Sequence, residues 1–271
     1  MDRPRHISLL RCLLALCLLL GFSQPFARAE RLATDRGVPV LTIDGAIGPA
    51  TADYVSGGIA SAAEAGAPMI VIRMDTPGGL DTSMREIIRA IVNAPMPVVT
   101  YVSPSGARAA SAGAFILTAS HVAAMAPGTN VGAATPVQLG APGVTPATNP
   151  KKEEGDKAAA DETAGPKTGS ASEAKALNDA IAYIRSLAEM RGRNADWAEA
   201  AVRDAASLSA QAALAQKVID IVARDNNDLL VQLNGRSVKM GGGEVRLDTS
   251  NLALNDVEPN WRTRLLVAIT S

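Results

Sequence analysis

Short apolar runs alternate with longer alanine-rich segments between residues 38 and 137, and this alternation constrains the fold more than any other feature. The apolar runs have the length and the composition of buried strands; they are residues 38–43, 69–74, 97–102 and 121–125. The segments between them have the length of helices; they are residues 51–65, 81–93 and 109–120. Strands that are separated by helices usually pair in parallel, so the sequence predicts an α/β domain with a mostly parallel sheet.

The first 29 residues have the features of a secretory signal peptide. Arginines precede an apolar run at residues 12–22, and the small-x-small sequence of residues 27–29 predicts cleavage before Glu30. The run is too short for an ordinary membrane span. We therefore expect export of the chain, and an uncleaved membrane anchor is the alternative.

Composition excludes several classes of function. Without the predicted signal peptide the chain has a net charge of −4, and such a balance offers no clustered positive surface for nucleic acid. Both cysteines, Cys12 and Cys17, and one of the two histidines lie in that segment, which leaves His121 as the remaining histidine. One histidine without cysteine is a poor ligand set for a metal ion, so the sequence predicts neither a metal nor another cofactor.

The pattern divides the remainder of the chain into four segments. Residues 30–137 are the first part of the domain, and residues 138–174 are a predicted disordered, low-complexity insertion, with a mobile flap over a site as the alternative. Helical periodicity then returns, and residues 175–235 are the second part. Residues 236–271 contain a predicted hairpin and end on an apolar run at 265–269, which is either a tail or the start of a membrane segment.

Two turns rich in small residues follow predicted strands and offer candidate catalytic groups. The sequence DTPGG at residues 75–79 exposes backbone N–H groups where an oxyanion or a phosphate can bind, and an ordinary turn is the alternative. In the second turn, Ser111 stands among small residues at a predicted helix start, beside the N–H of Ala112. Ser111 is a candidate nucleophile, Ser103 and Ser105 compete with it, and a packing role is the alternative.

The candidate base for such a serine is less obvious. His121 lies at the end of a predicted helix, roughly 15 Å from Ser111, and a structural role is the better interpretation for it. A lysine can act as base where burial or positive potential keeps it neutral. Lys175 is predicted in the first turn of a periodic helix, where the helix dipole favours a neutral amine. It points roughly 160° away from the apolar stripe of that helix, so another element or subunit must bury it, and a solvated lysine is the alternative.

Together these segments resemble the NfeD (nodulation efficiency D) family of membrane-bound serine proteases, which are relatives of ClpP and of signal peptide peptidase A. The matching sequences lie in the family's order; they are DTPGG (75–79), PSGARAASAGA (104–114), MAPGTNVGA (125–133), IAYIRSLA (181–188) and VARD (222–225). The resemblance spans roughly residues 38–230 and implies a ClpP-like, crotonase-type α/β spiral of β-β-α units. The segment between residues 138 and 174 is longer here than in compact members of the family.

The resemblance also implies roles for individual residues. The family nucleophile falls on Ser111, and the family base falls on Lys175, six residues before Ile181. The oxyanion donors are then the N–H groups of Ala112 and of Gly78 or Gly79. No metal is implied.

The function implied by the resemblance is an extracytoplasmic serine endopeptidase with a Ser-Lys dyad, which cleaves hydrophobic segments of membrane-associated, stomatin-type proteins. Such a protein is expected on the periplasmic or extracytoplasmic face of a membrane and at least as a dimer. Family members carry membrane spans and a small β-barrel domain after the protease. A non-catalytic ClpP-fold scaffold or binding subunit of a membrane complex is the main alternative. A crotonase-like acyl-CoA enzyme is a third, which the predicted export disfavours because acyl-CoA is cytoplasmic.

Overall fold

The predicted apolar runs form the strands of the largest sheet. The structure, a computed structural model of the chain, describes residues 37–136 and 168–258. The strands are β1 (Val38–Asp44), β2 (Ile70–Asp75), β3 (Val98–Val102), β4 (Arg108–Ala110), β5 (Val122–Met125), β6 (Asn130–Gly132), β7 (Ser207–Ser209), β8 (Ile221–Val222), β9 (Ser237–Met240), β10 (Gly243–Arg246) and β11 (Leu254–Asp256). The helices are α1 (Pro49–Glu64), α2 (Asp81–Val92), α3 (Ala112–Ala119), α4 (Thr168–Arg191), α5 (Ala195–Arg203), α6 (Ala210–Ala215) and α7 (Asn226–Leu233).

The main sheet has six strands in the order β11-β1-β2-β3-β5-β8, and every neighbouring pair is parallel. Val71 of β2, for example, pairs with Val40 of β1 on one side and with Val99 of β3 on the other. This arrangement confirms the predicted α/β class with a mostly parallel sheet. Because the strands are parallel, the turns that follow β2, β3 and β5 lie at one edge of the sheet.

Both faces of the sheet are buried, which explains why its strands are apolar at almost every position. Helices α1 to α6 cover one face and pack there on residues such as Ile72. Helix α7 and the antiparallel β9–β10 hairpin cover the other face, where Leu229 and Val238 pack with Val71. Successive residues of a strand point to opposite faces, so Val71 and Ile72 belong to different cores.

A second sheet, which the sequence pattern does not predict, lies beside the first. Strand β4 pairs in parallel with β6, and β6 pairs antiparallel with β7. The predicted helix over residues 109–120 is therefore wrong in its first turn, because Ala109 and Ala110 belong to β4 and α3 begins at Ala112. The N–H of Ala110 donates to the carbonyl of Thr76 (3.1 Å), and this bond to a distant segment replaces a bond within a helical turn.

Helix α4 begins at Thr168, inside the segment 138–174 that the sequence assigns to an insertion. The rest of that segment, the predicted signal peptide and the apolar run at 265–269 lie outside the described residues. The second half of α4 packs against α3 and α5 through buried residues such as Ile184 and Ala188. Among the helices of residues 37–136 and 168–258, none is both long and apolar enough to cross a membrane.

Candidate active site

The turn that follows β2 is held by the buried hydroxyl of Thr76. The backbone N–H and carbonyl of Thr76 bond to β4, while its Oγ1 accepts a hydrogen bond from the N–H of Gly78 (3.0 Å). Gly78 has φ +119°, a conformation that residues with a Cβ rarely adopt. The glycine therefore allows the chain to reverse sharply at the edge of the sheet.

The two glycines of this turn differ in what their N–H groups do. The N–H of Gly78 is taken by Thr76, as described above. Ile47 bonds to the two neighbours of Gly79. The N–H of Ile47 donates to the carbonyl of Gly78 (2.8 Å), and the carbonyl of Ile47 accepts from the N–H of Leu80 (2.9 Å). In such a parallel bridge the N–H of the middle residue points away from the partner strand. The N–H of Gly79 accordingly has no hydrogen-bond partner among the described residues.

Ser111 lies between the end of β4 and the start of α3. Its backbone has φ +51° and ψ −117°, an unusual conformation for a residue with a side chain, and its N–H donates to the carbonyl of Gly132 (3.2 Å). The N–H of Ala112, the first residue of α3, finds no hydrogen-bond acceptor in the described part of the chain. This free N–H stands next to the serine at the positive end of a helix.

The serine and the glycine turn are in close contact. A Cβ placed on Gly78 would lie 2.6 Å from the Cβ and 3.0 Å from the Oγ of Ser111. The Ser111 side chain is partly exposed, and its hydroxyl makes no hydrogen bond with any described residue. The structure thus brings together an accessible serine hydroxyl, a helix N-terminus and a glycine turn with a free N–H, a combination suited to acyl transfer.

Lys175 lies on the exposed first half of α4. The prediction that Lys175 lies in the first turn of its helix is wrong, because the helix begins about two turns earlier, at Thr168. The helix dipole acts mainly on the first turn, so it has little effect on this amine. Its side chain is exposed and makes no hydrogen bond or salt bridge with the described residues, Ser111 included. The apolar stripe on the opposite side of the helix is buried as predicted, at Ile181 and Ile184.

The other sequence candidates lie elsewhere. His121 follows the far end of α3, where its Nδ1 accepts a hydrogen bond from the N–H of Val98 (3.2 Å). Burial lowers the pKa of His121 to about 3, and the nearby cations of Arg191 and Arg193 add to this shift. The imidazole is therefore neutral and holds two strands in place. Ser103 is buried and Ser105 is exposed, and neither lies at the start of a helix.

Some features of the site do not follow from sequence reasoning. The sequence indicates Thr76 only as part of a turn, whereas in the structure its hydroxyl orients Gly78. The carbonyl of Gly132 accepts the N–H of Ser111 and fixes its backbone. It is the N–H of Gly79 that has no partner among the described residues, and not that of Gly78. This follows from the way Ile47 bonds to Gly78 and Leu80. No signal in the sequence indicates these contacts, apart from the alternation of buried Ala107, which precedes β4, and buried Ala109 within it. Within residues 37–136 and 168–258, no group of three or more acidic, histidine or cysteine side chains is placed to hold a metal ion.

Comparison with known sequences identifies relatives of this chain. Residues 37–164 match the family model for the N-terminal domain of NfeD1b. The chain is 36% identical over 264 residues to the membrane-bound protease PH1510 of Pyrococcus horikoshii, and this alignment covers 96% of the chain and 53% of PH1510. The chain thus spans about half the length of this curated relative.

Two solved structures of the protease 1510-N have the same fold. One is the membrane-bound stomatin-specific protease with a lysine-to-alanine mutation, in complex with a substrate peptide; it has a TM-score of 0.71 and 34% identity, and covers 86% of this chain and 97% of that one. The other carries a serine-to-alanine mutation; it has a TM-score of 0.68 and 35% identity, and covers 83% of this chain and 98% of that one. These neighbours confirm the expected ClpP-like fold.

Proposed function

Because the chain belongs to the NfeD family, we propose that it is a serine endopeptidase in which Ser111 and Lys175 form the catalytic dyad. The observation that carries this proposal is the environment of Ser111. Its hydroxyl makes no hydrogen bond with a described residue and lies against Gly78. The next residue on each of the two segments, Gly79 and Ala112, has an N–H group without an acceptor among the described residues. Strained backbone conformations such as that of Ser111 cluster at functional sites.

In the proposed reaction, the Oγ of Ser111 attacks the carbonyl carbon of a peptide bond while the neutral amine of Lys175 takes the hydroxyl proton. The carbonyl oxygen becomes an oxyanion, which accepts hydrogen bonds from the N–H groups of Gly79 and Ala112. Lys175 then gives its proton to the departing amine, which leaves an acyl group on Ser111. The same lysine activates the water that hydrolyses this ester and returns the serine hydroxyl.

The position of Lys175 sets a condition on this reaction. The amine is exposed on the first half of α4, whereas the reaction requires a neutral amine within hydrogen-bond reach of the Ser111 hydroxyl. We therefore expect that bound substrate or a second copy of the chain covers this part of α4, and that the Lys175 amine then lies within hydrogen-bond reach of the Ser111 hydroxyl. Burial would then favour the neutral amine that the reaction requires.

The proposed substrates are hydrophobic segments of stomatin-type membrane proteins. The relatives are named as stomatin-specific proteases, and one of them is named as a complex with a substrate peptide. In this chain, Leu80 directly follows Gly79 and is 40% exposed, which offers an apolar contact beside the proposed oxyanion site. We propose an extracytoplasmic location, since the first 29 residues have the pattern of a signal peptide.

The second candidate function is a non-catalytic scaffold or binding subunit with the same fold. The exposure of Lys175 and the lack of a hydrogen bond between it and Ser111 favour this alternative. Fold alone does not distinguish the two, because one fold supports many functions.

Labelling of the full chain with a fluorophosphonate between pH 6 and 10, followed by peptide mapping, tests the proposal. We expect label on Ser111, with no label in Ser111→Ala and a loss of at least about a hundredfold in Lys175→Ala. Ser237→Ala and Lys239→Ala change an exposed serine and an exposed lysine of strand β9, on the other face of the main sheet, and serve as matched controls. Equal labelling in Lys175→Ala would disprove the dyad, and no labelling of Ser111 in the folded protein, with peptide present, would favour the scaffold.

A further inference from the structure

Three helices of the proposed site meet at one aromatic ring. Helix α2 begins two residues after Gly79, α3 begins directly after Ser111, and α4 carries Lys175. The ring of Phe115 in α3 stacks on that of Tyr183 in α4, with centroids 6.0 Å apart. The guanidinium carbon of Arg85 in α2 lies 4.4 Å from the centroid of the Tyr183 ring, a favourable cation–π geometry.

Arg85 also forms two salt bridges, one within its own helix and one to α4. Its Nε donates to Asp81 (2.8 Å), and its Nη2 donates to Asp179 (2.5 Å). The Arg85 side chain is 32% exposed, so the Tyr183 ring and the neighbouring helices shield much of it from water. Arg85 is therefore held in one orientation, with one of its N–H groups committed to the carboxylate of Asp179.

The place of Asp179 on α4 gives this contact a consequence for Lys175. Residues 175, 179 and 183 are spaced by four and lie along one side of the helix. A carboxylate four residues from a lysine is a natural ion-pair partner, and such a pair stabilises the protonated amine. Here the carboxylate bonds to Arg85 instead, and no salt bridge of Lys175 is found among the described residues.

Few other charges of the described residues face this part of α4. Glu173 is two residues from Lys175 and points to a different side of the helix. Helix α3 has no titratable side chain, and the carboxylates of α5, Asp196 and Glu199, bond to Arg185, ten residues further along α4. On α2, the charges that act on Tyr183, on the same side of α4 as Lys175 and Asp179, are those of Asp81, Arg85 and Arg89. Asp179 is thus the acidic group best placed to pair with Lys175.

We propose that Arg85 is a positioning residue, which holds the carboxylate of Asp179 against α2 and so keeps it from pairing with the amine of Lys175. This inference rests on the proposed function, because it gives the protonation of Lys175 a catalytic meaning. Arg85 touches neither Ser111 nor Lys175, and it acts through Asp179. The same contact fixes the distance between the helix that follows the glycine turn and the helix that carries the lysine.

The test compares Arg85→Gln with the double variant Arg85→Gln/Asp179→Asn. Two quantities are measured against pH in each variant. One is the rate at which a fluorophosphonate labels Ser111, and the other is the rate at which limiting acetic anhydride acetylates Lys175. Acetylation requires the neutral amine. For Arg85→Gln we expect both profiles to move up by about 0.3 pH unit, which slows labelling about twofold below the midpoint. The double variant is expected to return to the wild-type midpoint, because no carboxylate is left to pair with the lysine.

Two controls separate positioning from a structural role. Arg89→Gln removes a positive charge one turn further along α2 without a salt bridge to Asp179, and we expect less than half of the shift seen in Arg85→Gln. Arg85→Lys keeps the positive charge, and we expect its pH midpoint to lie between those of wild type and Arg85→Gln. Thermal unfolding of every variant identifies any that fails to fold. In that case the single variant Asp179→Asn replaces it, and we expect the pH midpoint of its Lys175 acetylation to be at or below that of wild type.

Several outcomes would overturn the proposal. The proposal fails if the midpoint of Lys175 acetylation is unchanged in folded Arg85→Gln. It also fails if the midpoint shifts and the Asp179→Asn change does not reverse the shift. Either result would show that Arg85 only packs the helices. The acetylation profile does not depend on catalysis. If it shifts and reverses as expected while Ser111 is never labelled, the role of Arg85 stands and the proposed protease function fails.

Discussion

A Cβ atom added at Gly78 would lie 2.6 Å from the Cβ of Ser111, closer than two such atoms approach in proteins. The lack of a side chain at Gly78 is thus what allows the turn after β2 to lie against the serine. The same turn supplies the free N–H of Gly79, so the contact between Gly78 and Ser111 fixes the distance between the proposed nucleophile and one of its proposed oxyanion donors.

The first prediction concerns this contact. Gly78→Ala should destabilise the protein by about 1 to 3 kcal/mol, because the residue has φ +119° and its methyl group would meet Ser111. Fluorophosphonate labelling of Ser111 should fall at least about tenfold, as the turn moves away. The control is Gly57→Ala in α1, where an added Cβ meets nothing within 4 Å; it should stabilise by about 0.5 to 1 kcal/mol. Labelling at the wild-type rate in Gly78→Ala would contradict this account of the turn.

The second prediction concerns the backbone of Ser111. Its φ of +51° and ψ of −117° strain any residue with a side chain, so Ser111→Gly should be more stable than Ser111→Ala by about 1 kcal/mol. At Ser186, in the interior of α4, the order should reverse, because glycine is less favourable than alanine in a helix by about 1 kcal/mol. Urea unfolding of the four variants measures both differences. The same order at both sites would argue against strain at Ser111.

The third prediction concerns His121 and pH. The pKa of His121 is about 3 in the folded protein, because burial and then the cations of Arg191 and Arg193 oppose protonation, whereas the unfolded chain binds the proton near its ordinary pKa. Below about pH 6.5 the unfolded state therefore takes up a proton that the folded state does not, and the free energy of unfolding falls as pH falls, by up to about 1.4 kcal/mol per pH unit.

Urea unfolding at several values between pH 7 and pH 5 measures this dependence. His121→Gln offers an amide oxygen in place of Nδ1 as acceptor for the N–H of Val98 and has no titration in this range. We expect a clearly smaller change of the free energy with pH in this variant. Identical pH dependence in the two proteins would show that His121 binds a proton equally well in the folded and the unfolded state, which contradicts the lowered pKa.

The fourth prediction concerns the hydroxyl of Thr76. Thr76→Val keeps the shape of the side chain but leaves the N–H of Gly78 without its acceptor, which should destabilise the protein by about 1 to 3 kcal/mol and slow the labelling of Ser111. Thr76→Ser keeps the hydroxyl and loses a buried methyl group, so it should lose similar stability and yet retain most of the labelling. A similar rate of labelling in the two variants would mean that the hydroxyl does not orient the turn.

The sequence by itself determines the layered α/β architecture. Runs such as residues 69–74 are apolar at all but one position, Arg73, because both faces of the sheet are covered, and this pattern is local and can be recognised without a structure. The sequence also indicates where the candidate site lies, since glycine and serine follow strands whose carboxyl ends meet at one edge. The candidate residues Ser111, Ala112 and Gly78 or Gly79 follow from these local signals and from the family resemblance, and the choice of Lys175 as base follows from the resemblance.

Tertiary structure alone decides how these residues are arranged. The second sheet has strands of three residues, which are too short to show a period, and its bonds join segments that are distant in sequence, as between Ala110 and Thr76. For the same reason, the free N–H of Gly79 depends on Ile47, and the orientation of Asp179 depends on Arg85, 94 residues away. A hydrogen bond between distant segments depends on the packing that brings them together, and the residues around either partner do not specify that packing.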